Sequence, residues 1–450
     1  MVNKAFGLIL LLFLSCYTHA QSPHDTVQRV GDMPYSVLAV RDYSFNEILN
    51  EGVETLARQL DVLNIPIRPS RIIIKKHIRQ HAFSMNWWKR HRATFRAISF
   101  TYPSVSPQGD SIMLSGLVTI PVLRGNRPQR MLVYHRLTCT SNKIAPSNSL
   151  PIETVLSADN TICVFPDYYG CGITEGNPLP FVALNYHARC ATDCVLAALN
   201  IVQDNAIVLD TGFYTWNTGF SQGAGYALAM HKYIENTLPD SLSRRINLRW
   251  TLCYGGIYSP LKLYEAAISS GDMGSTPSVF LQSLRGLFVS HRGCLDGLSI
   301  RDFLSDKALE SRMDSILLTE DDGLWDLADR LDGRDESQDP ADYFNAEARD
   351  TSSTLYKKVA AAFSLDECGT GWHPQSKVVL CHSRDDNAIP FWLTEQTQKQ
   401  LGGTSGNVIL DTPSYNRSHF YTGYLYYYSL LLYREDVLYK RHLRSSQCGD

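Results

Sequence analysis

Residues 213–236 constrain the fold more than any other stretch of this chain. Phe213–Gly219 (FYTWNTG) has the composition of a strand. Gly223–Asn236 spaces small and apolar residues as a helix does. Only Phe220, Ser221 and Gln222 lie between them, so the backbone must reverse sharply through Gly219-Phe220-Ser221-Gln222-Gly223. A bare G-x-S-x-G pentapeptide is weak, because chance produces it often in a chain of 450 residues. The context gives it weight: a strand precedes it, and a helix opening on Gly223, Ala224, Gly225, Ala227 and Ala229 follows. A strained strand–turn–helix of this kind leaves no room for Cβ atoms on either side of the serine and lifts its hydroxyl above a sheet. The alternative, a serine N-cap with glycines for packing, explains the helix but not the strand.

The same alternation extends along the chain. Strand-like runs at Thr161–Pro166, Leu248–Tyr254, Lys377–Cys381 and Asn407–Leu410 are interleaved with helical segments such as Ala183–Val202 and a helical end around Thr422–Leu432. Before them come period-2 and apolar runs at Thr94–Tyr102, Ser111–Val122 and Met131–Tyr134, separated by turn residues. Strands alternating with helices predict the α/β class, with a mostly parallel sheet covered by helices on both faces. Hydrophobic residues make up 44% of the chain and charged residues 19%, enough apolar surface to exclude a disordered protein. The net charge of −3 offers no basic excess for a phosphate backbone, so no nucleic acid is expected, and no partner protein is inferred.

Five segments follow. Residues 1–20 read as a signal peptide: Lys4, the apolar run Gly7–Leu14, then Thr18-His19-Ala20 with small residues before a cleavage point. The run is too short to span a bilayer, and no later stretch reaches 18 apolar residues, so no transmembrane segment is expected. The chain is therefore read as exported; lipidation at Cys16 is the alternative, and Phe13-Leu14 fit a lipobox poorly. Residues 21–90 read as an N-terminal helical arm. Its basic tract, Arg71–Arg96, carries eight Lys or Arg and no acid around Trp87-Trp88, and is read as a solvated surface with its aromatics packed inward. Residues 91–255 and 376–450 form the two parts of the core. Residues 256–375 interrupt the alternation and read as an inserted helical cap. Glu310–Asp350 holds fourteen acids against four Arg without EF-hand spacing. Setting Cys16 aside leaves ten cysteines in an oxidising compartment, so some disulfides are expected, with Cys294 and Cys368 as candidates to tie down the cap.

A serine hydroxyl needs a base, and the base a carboxylate to orient it. In a strand–turn–helix site the chain order is Ser, acid, His. The strand Lys377–Cys381 is followed by His382-Ser383-Arg384-Asp385-Asp386, and Pro390 stiffens the turn four residues after Asp386. Asp386 is the preferred acid and Asp385 its neighbouring alternative. His419, nine residues past Leu410, is the candidate base; His442 reads as a surface residue and His382 as structural.

With Ser221, Asp386 and His419 in that order, the chain resembles the α/β-hydrolase superfamily, of the secreted lipase and esterase type, near the fungal secretory lipases and their bacterial relatives. The resemblance also rests on Pro166-Asp167-Tyr168-Tyr169-Gly170-Cys171-Gly172, on the helix carrying Asp193, and on Tyr254-Gly255-Gly256. It covers about Thr94 to Tyr433 and leaves the arm without a counterpart. It implies an α/β-hydrolase fold and hydrolysis of a small-molecule or lipid ester through an acyl-enzyme. Ser221 is then nucleophile, Asp386 acid and His419 base, and neither cofactor nor metal is needed. The chain departs from the family where the oxyanion loop usually carries glycine: Tyr134 is followed by His135-Arg136-Leu137-Thr138. One backbone donor is expected at Gln222 and the other at Leu137 or Thr138, with Asp167 and Tyr168 buttressing the loop. Two rivals share the fold: a serine peptidase, and an inactive binding protein supported only by the missing glycine.

Overall fold

Fully apolar runs such as Thr161–Pro166 (TICVFP) are buried along their whole length, the signature of strands covered on both faces. The structure, a computed structural model, describes residues 33–62, 71–84, 94–122, 127–138, 144–273, 277–318, 339–402, 406–413 and 418–419. Among these residues nine strands form one sheet. They are β1 (Ser36–Tyr43), β2 (Thr94–Val105), β3 (Ser111–Val122), β4 (Arg130–His135), β5 (Thr161–Pro166), β6 (Tyr214–Phe220), β7 (Leu248–Tyr254), β8 (Lys377–Cys381) and β9 (Val408–Asp411). Their order is β1-β2-β3-β5-β4-β6-β7-β8-β9. The β1, β2, β3 and β5 neighbours pair antiparallel, and every pair from β5 through β9 is parallel. Pro103 and Pro121 are tolerated inside β2 and β3. Each lies beyond the reach of the neighbour on one side, where no ladder hydrogen bond is required of it.

Alternate side chains sort into two cores. Met131, Val133, Ile162 and Val164 pack on one face with α3 (Leu184–Asp204) and α4 (Gln222–Asn236). Leu132, Tyr134, Cys163 and Phe165 point to the other face, where the stacked Trp216–Trp250 pair lies, its ring centroids 4.8 Å apart. That second face is covered from the N-terminal side. Helix α1 (Phe45–Val62) brings Phe45, Ile48, Leu49, Val53 and Leu56 into it, beside the short 3-10 turn Ile152–Asp159.

The N-terminal segment therefore differs from the expected helical arm. It contributes a sheet strand, β1, as well as α1 and α2 (Arg71–Ser84). β1 escapes detection in the sequence because it is an edge strand with seven of its eight residues exposed, so no alternation of burial shapes its composition. Trp87-Trp88, the signal-peptide residues, Cys16, the proposed C-terminal helix and His442 lie outside the described residues.

The short helix α5 (Asp240–Ile246) precedes β7. Between β7 and β8 the chain leaves the sheet, and its described residues there form α6 (Pro260–Ser270), α7 (Pro277–Ser290), α8 (Asp306–Glu310), α9 (Met313–Leu318), α10 (Ala346–Arg349) and α11 (Thr354–Ser364). Phe280, Leu284, Phe303 and Phe363 from this segment join the same core as α3 and α4. Helix α12 (Phe391–Gly402) follows β8. Cys294 and Cys368, the candidates to tie down the cap, form no disulfide. Both are free thiols, and seven of the eight described cysteines are buried as small apolar side chains. Cys368 instead sits against the Tyr258 carbonyl, with its Sγ 3.4 Å from the oxygen. No helix among the described residues is long and apolar enough to cross a membrane.

Candidate active site

Ser221 stands at the end of β6 and caps α4 with φ 57° and ψ −123°, backbone angles that a serine rarely adopts. The two glycines of the motif are required by space. A Cβ on Gly219 would lie 2.0 Å from the Gly223 carbonyl oxygen, and one on Gly223 would lie 2.1 Å from that of His135. The second contact means that the end of β4 presses directly on the first turn of α4. The Ser221 N–H donates to the Tyr254 carbonyl at 2.8 Å, fixing the turn to the end of β7 as well.

The other two residues, Asp386 after β8 and His419 after β9, meet Ser221 at this point. His419 Nε2 lies 2.9 Å from Ser221 Oγ, and His419 Nδ1 lies 2.6 Å from Asp386 Oδ2. A carboxylate can only accept, so Nδ1 carries the proton and Nε2 presents its lone pair to the serine hydroxyl. The imidazole stacks on Phe220, 5.1 Å between centroids, and its backbone N–H donates to Asn387 Oδ1 at 3.1 Å. Sequence reasoning did not single out Asn387; its place directly after the acid was the available signal.

Asp386 rather than Asp385 makes this contact; Asp385 faces solvent. The Asp386 side chain is fully buried. Burial alone would push its carboxyl up, but the charge of His419 and hydrogen bonds from His382 and His419 outweigh it and hold the group well below the usual carboxylate range. Oδ1 accepts the backbone N–H groups of Ala388 and Ile389 at 2.9 and 2.8 Å. Pro390 follows these donors, where the sequence placed a stiff turn.

On the opposite side of Ser221, Gln222 is the first residue of α4 and almost wholly buried, its side-chain amide donating to the Tyr226 hydroxyl. Leu137 and Thr138 are buried in the loop after β4. The Arg136 guanidinium ties that loop to the Ile144 carbonyl, and the Tyr168 hydroxyl donates to the Arg136 carbonyl. Asp167 accepts the Ser147 N–H at 3.1 Å and the Ser115 hydroxyl at 2.6 Å. These contacts hold the loop in place of the absent glycine. Burial drives the His135 imidazole down to about 3, partly offset by a hydrogen bond with Asn217, so it stays neutral beneath the site. A cavity of about 610 Å³ adjoins Asp386 and Asn387. Its walls come from α6, from Phe280 of α7, and from Ala388, Pro390 and Trp392.

A mixed sheet with a strand–Ser–helix turn in its parallel part, and with the acid and the histidine after later strands, is the α/β-hydrolase fold. Solved structures agree. The rice cell wall degrading esterase LipA from Xanthomonas oryzae superposes with a TM-score of 0.66 at 17% identity, over 90% of this chain and 97% of that one. A putative hydrolase from Legionella pneumophila gives 0.65 at 15% identity, over 91% and 98%. Candida antarctica lipase A gives 0.54 at 14% identity, over 77% and 79%. No family model matches the chain, and no curated protein sequence matches it.

Proposed function

We propose that the chain is an exported serine hydrolase that cleaves carboxylic esters through an acyl-enzyme. The observation that carries this is the unbroken hydrogen-bonded row from Ser221 through His419 to Asp386, set on a strained backbone turn. In this reading Ser221 Oγ attacks the acyl carbonyl while His419 Nε2 takes its proton. Asp386 keeps the ring in its Nδ1–H tautomer and stabilises the imidazolium. The oxyanion meets backbone N–H groups of Gln222 and of Leu137 or Thr138. His419 then protonates the leaving alcohol, and water repeats the sequence to release the acid. Esterase and lipase names among the structural neighbours agree with an ester substrate.

The reading assigns substrate choice to residues 256–375, whose helices line the cavity beside Asp386. It also assigns export to residues 1–20 with cleavage after Ala20, which the intact mass of the mature protein tests. Turnover of p-nitrophenyl esters from acetate to palmitate, wild type beside Ser221→Ala, tests the activity. The variant should lose at least about 10³-fold in kcat/KM, and the chain-length profile separates esterase from lipase. Wild-type protein that is folded and turns over none of them sinks the ester reading.

A further inference from the structure

Asp386 Oδ2 takes two imidazoles, not one. His419 Nδ1 approaches it at 2.6 Å and His382 Nε2 at 3.0 Å. His382 directly follows β8 and its side chain is wholly buried. Its Nε2 also lies 3.1 Å from the Ile389 carbonyl, and its Nδ1 lies 2.6 Å from Thr394 Oγ1 on α12. Both partners of Nε2 can only accept, so Nε2 carries the proton. Nδ1 then offers a lone pair, and the Thr394 hydroxyl is the donor that fills it. The ring of Phe391 meets His382 edge-on with centroids 5.6 Å apart, which leaves the imidazole one orientation.

We propose that His382 and Thr394 are positioning residues for the reaction, extending the row to Thr394–His382–Asp386–His419–Ser221. The inference rests on the reading of Ser221 and His419 given above. The His382 N–H holds the carboxylate from the side away from His419 and draws part of its charge. Without that donor the carboxylate faces His419 with its full charge and with one restraint fewer. Two effects follow: the imidazolium form of His419 is favoured to higher pH, and the ring spends less time aligned with Ser221. A histidine that merely fills space under α12 would produce neither.

Other ionisable groups lie on the elements around His382 and Asp386: Cys253 and Tyr254 on β7, which pairs with β8, Cys381 on β8, Asp411 on β9, Glu395 on α12, Asp272 in the lining of the same cavity as Asp386, and Arg384 and Asp385 between His382 and Asp386 in the chain. All are retained in the variants below, so their influence is common to every protein compared.

The test compares wild type with His382→Leu, His382→Gln and Thr394→Val, reading kcat and KM on a p-nitrophenyl ester and the titration of His419 by NMR with ring-labelled histidine. His382→Leu should lower kcat about tenfold with KM within about twofold, and should move both the acid limb of kcat/KM and the His419 titration upward by about 0.5–1 pH unit. His382→Gln keeps an N–H near the Nε2 position and should lose far less. Thr394→Val, close in shape, removes the donor that fills the Nδ1 lone pair and anchors the ring, and should shift in the same direction by a smaller amount. Folded variants with the wild-type His419 titration and kcat overturn the proposal. If His382→Leu does not fold, Thr394→Val decides alone. The NMR titration needs no turnover, so a wild type inactive on every ester sinks the ester reading while the positioning role is still decided by the shift.

Discussion

The backbone of Ser221 sits at φ 57° and ψ −123°, a conformation whose cost is about 1–3 kcal/mol for a residue with a Cβ. That strain is relieved by glycine at the same place, after subtracting glycine's own entropic penalty of about 0.5–1 kcal/mol. Ser221→Gly should therefore abolish ester turnover while leaving thermal stability equal to wild type or higher by about 1 kcal/mol. A loss of stability in calorimetry would contradict the strain argument. Gly223→Ala should behave in the opposite sense, because its Cβ would collide with the backbone of β4 rather than with a yielding side chain. It should unfold at lower denaturant concentration and lose activity together. At this scale the site was legible where chemistry leaves few choices: paired glycines about a serine, an acid before a proline, a histidine after the last strand. It was not legible for His382, because its meaning depends on which way a buried ring points.

Among the elements, the stretch between α11 and β8 holds a carboxyl that titrates in an accessible range. Burial drives Glu367 up from its ordinary 4.5 to about 7, against the opposing pull of Ser259, the Leu261 N–H, Lys262 and Lys232. Between those two values the folded protein retains a proton that the unfolded chain has released. Stability from this group is thus full below about pH 4.5 and falls as pH rises through about 7. Glu367→Gln keeps an acceptor for the Ser259 hydroxyl, which lies 2.8 Å away, and removes the ionisation. The variant should melt above wild type at pH 8 and together with it near pH 4; equal melting at both would remove Glu367 from the account. Helix α1 carries a second prediction. Leu49 is fully buried against the second face of the sheet. Leu49→Ala should destabilise by about 2–5 kcal/mol in urea unfolding, whereas a loosely attached arm would give almost no change. The helical periodicity of α1 was visible in the sequence, but its partner was not. Leu49 and Val53 share a core with Ile152 and Leu156, about a hundred positions later, and no local pattern reports such packing.

Across the whole molecule, the described residues from Met33 to His419 belong to one compact unit, and the helices between β7 and β8 share a core with the sheet. The parallel half of the sheet was readable from its fully apolar runs, since strands buried on both faces have little other composition available. The edge strand β1 was not, because solvent on both its faces imposes no pattern. Cys294 and Cys368 were misread for a related reason: composition and compartment argue for pairing, whereas packing decides which thiols face one another. Ser221, Asp386 and His419, which follow three separate strands of the sheet, meet at one point. Activation of the Ser221 hydroxyl there is tested by reacting the protein with a fluorophosphonate and mapping the adduct by peptide mass spectrometry. Stoichiometric labelling at Ser221 is expected in wild type, with loss of labelling in His419→Ala. A folded wild type that stays unlabelled, or labels elsewhere, would contradict that activation.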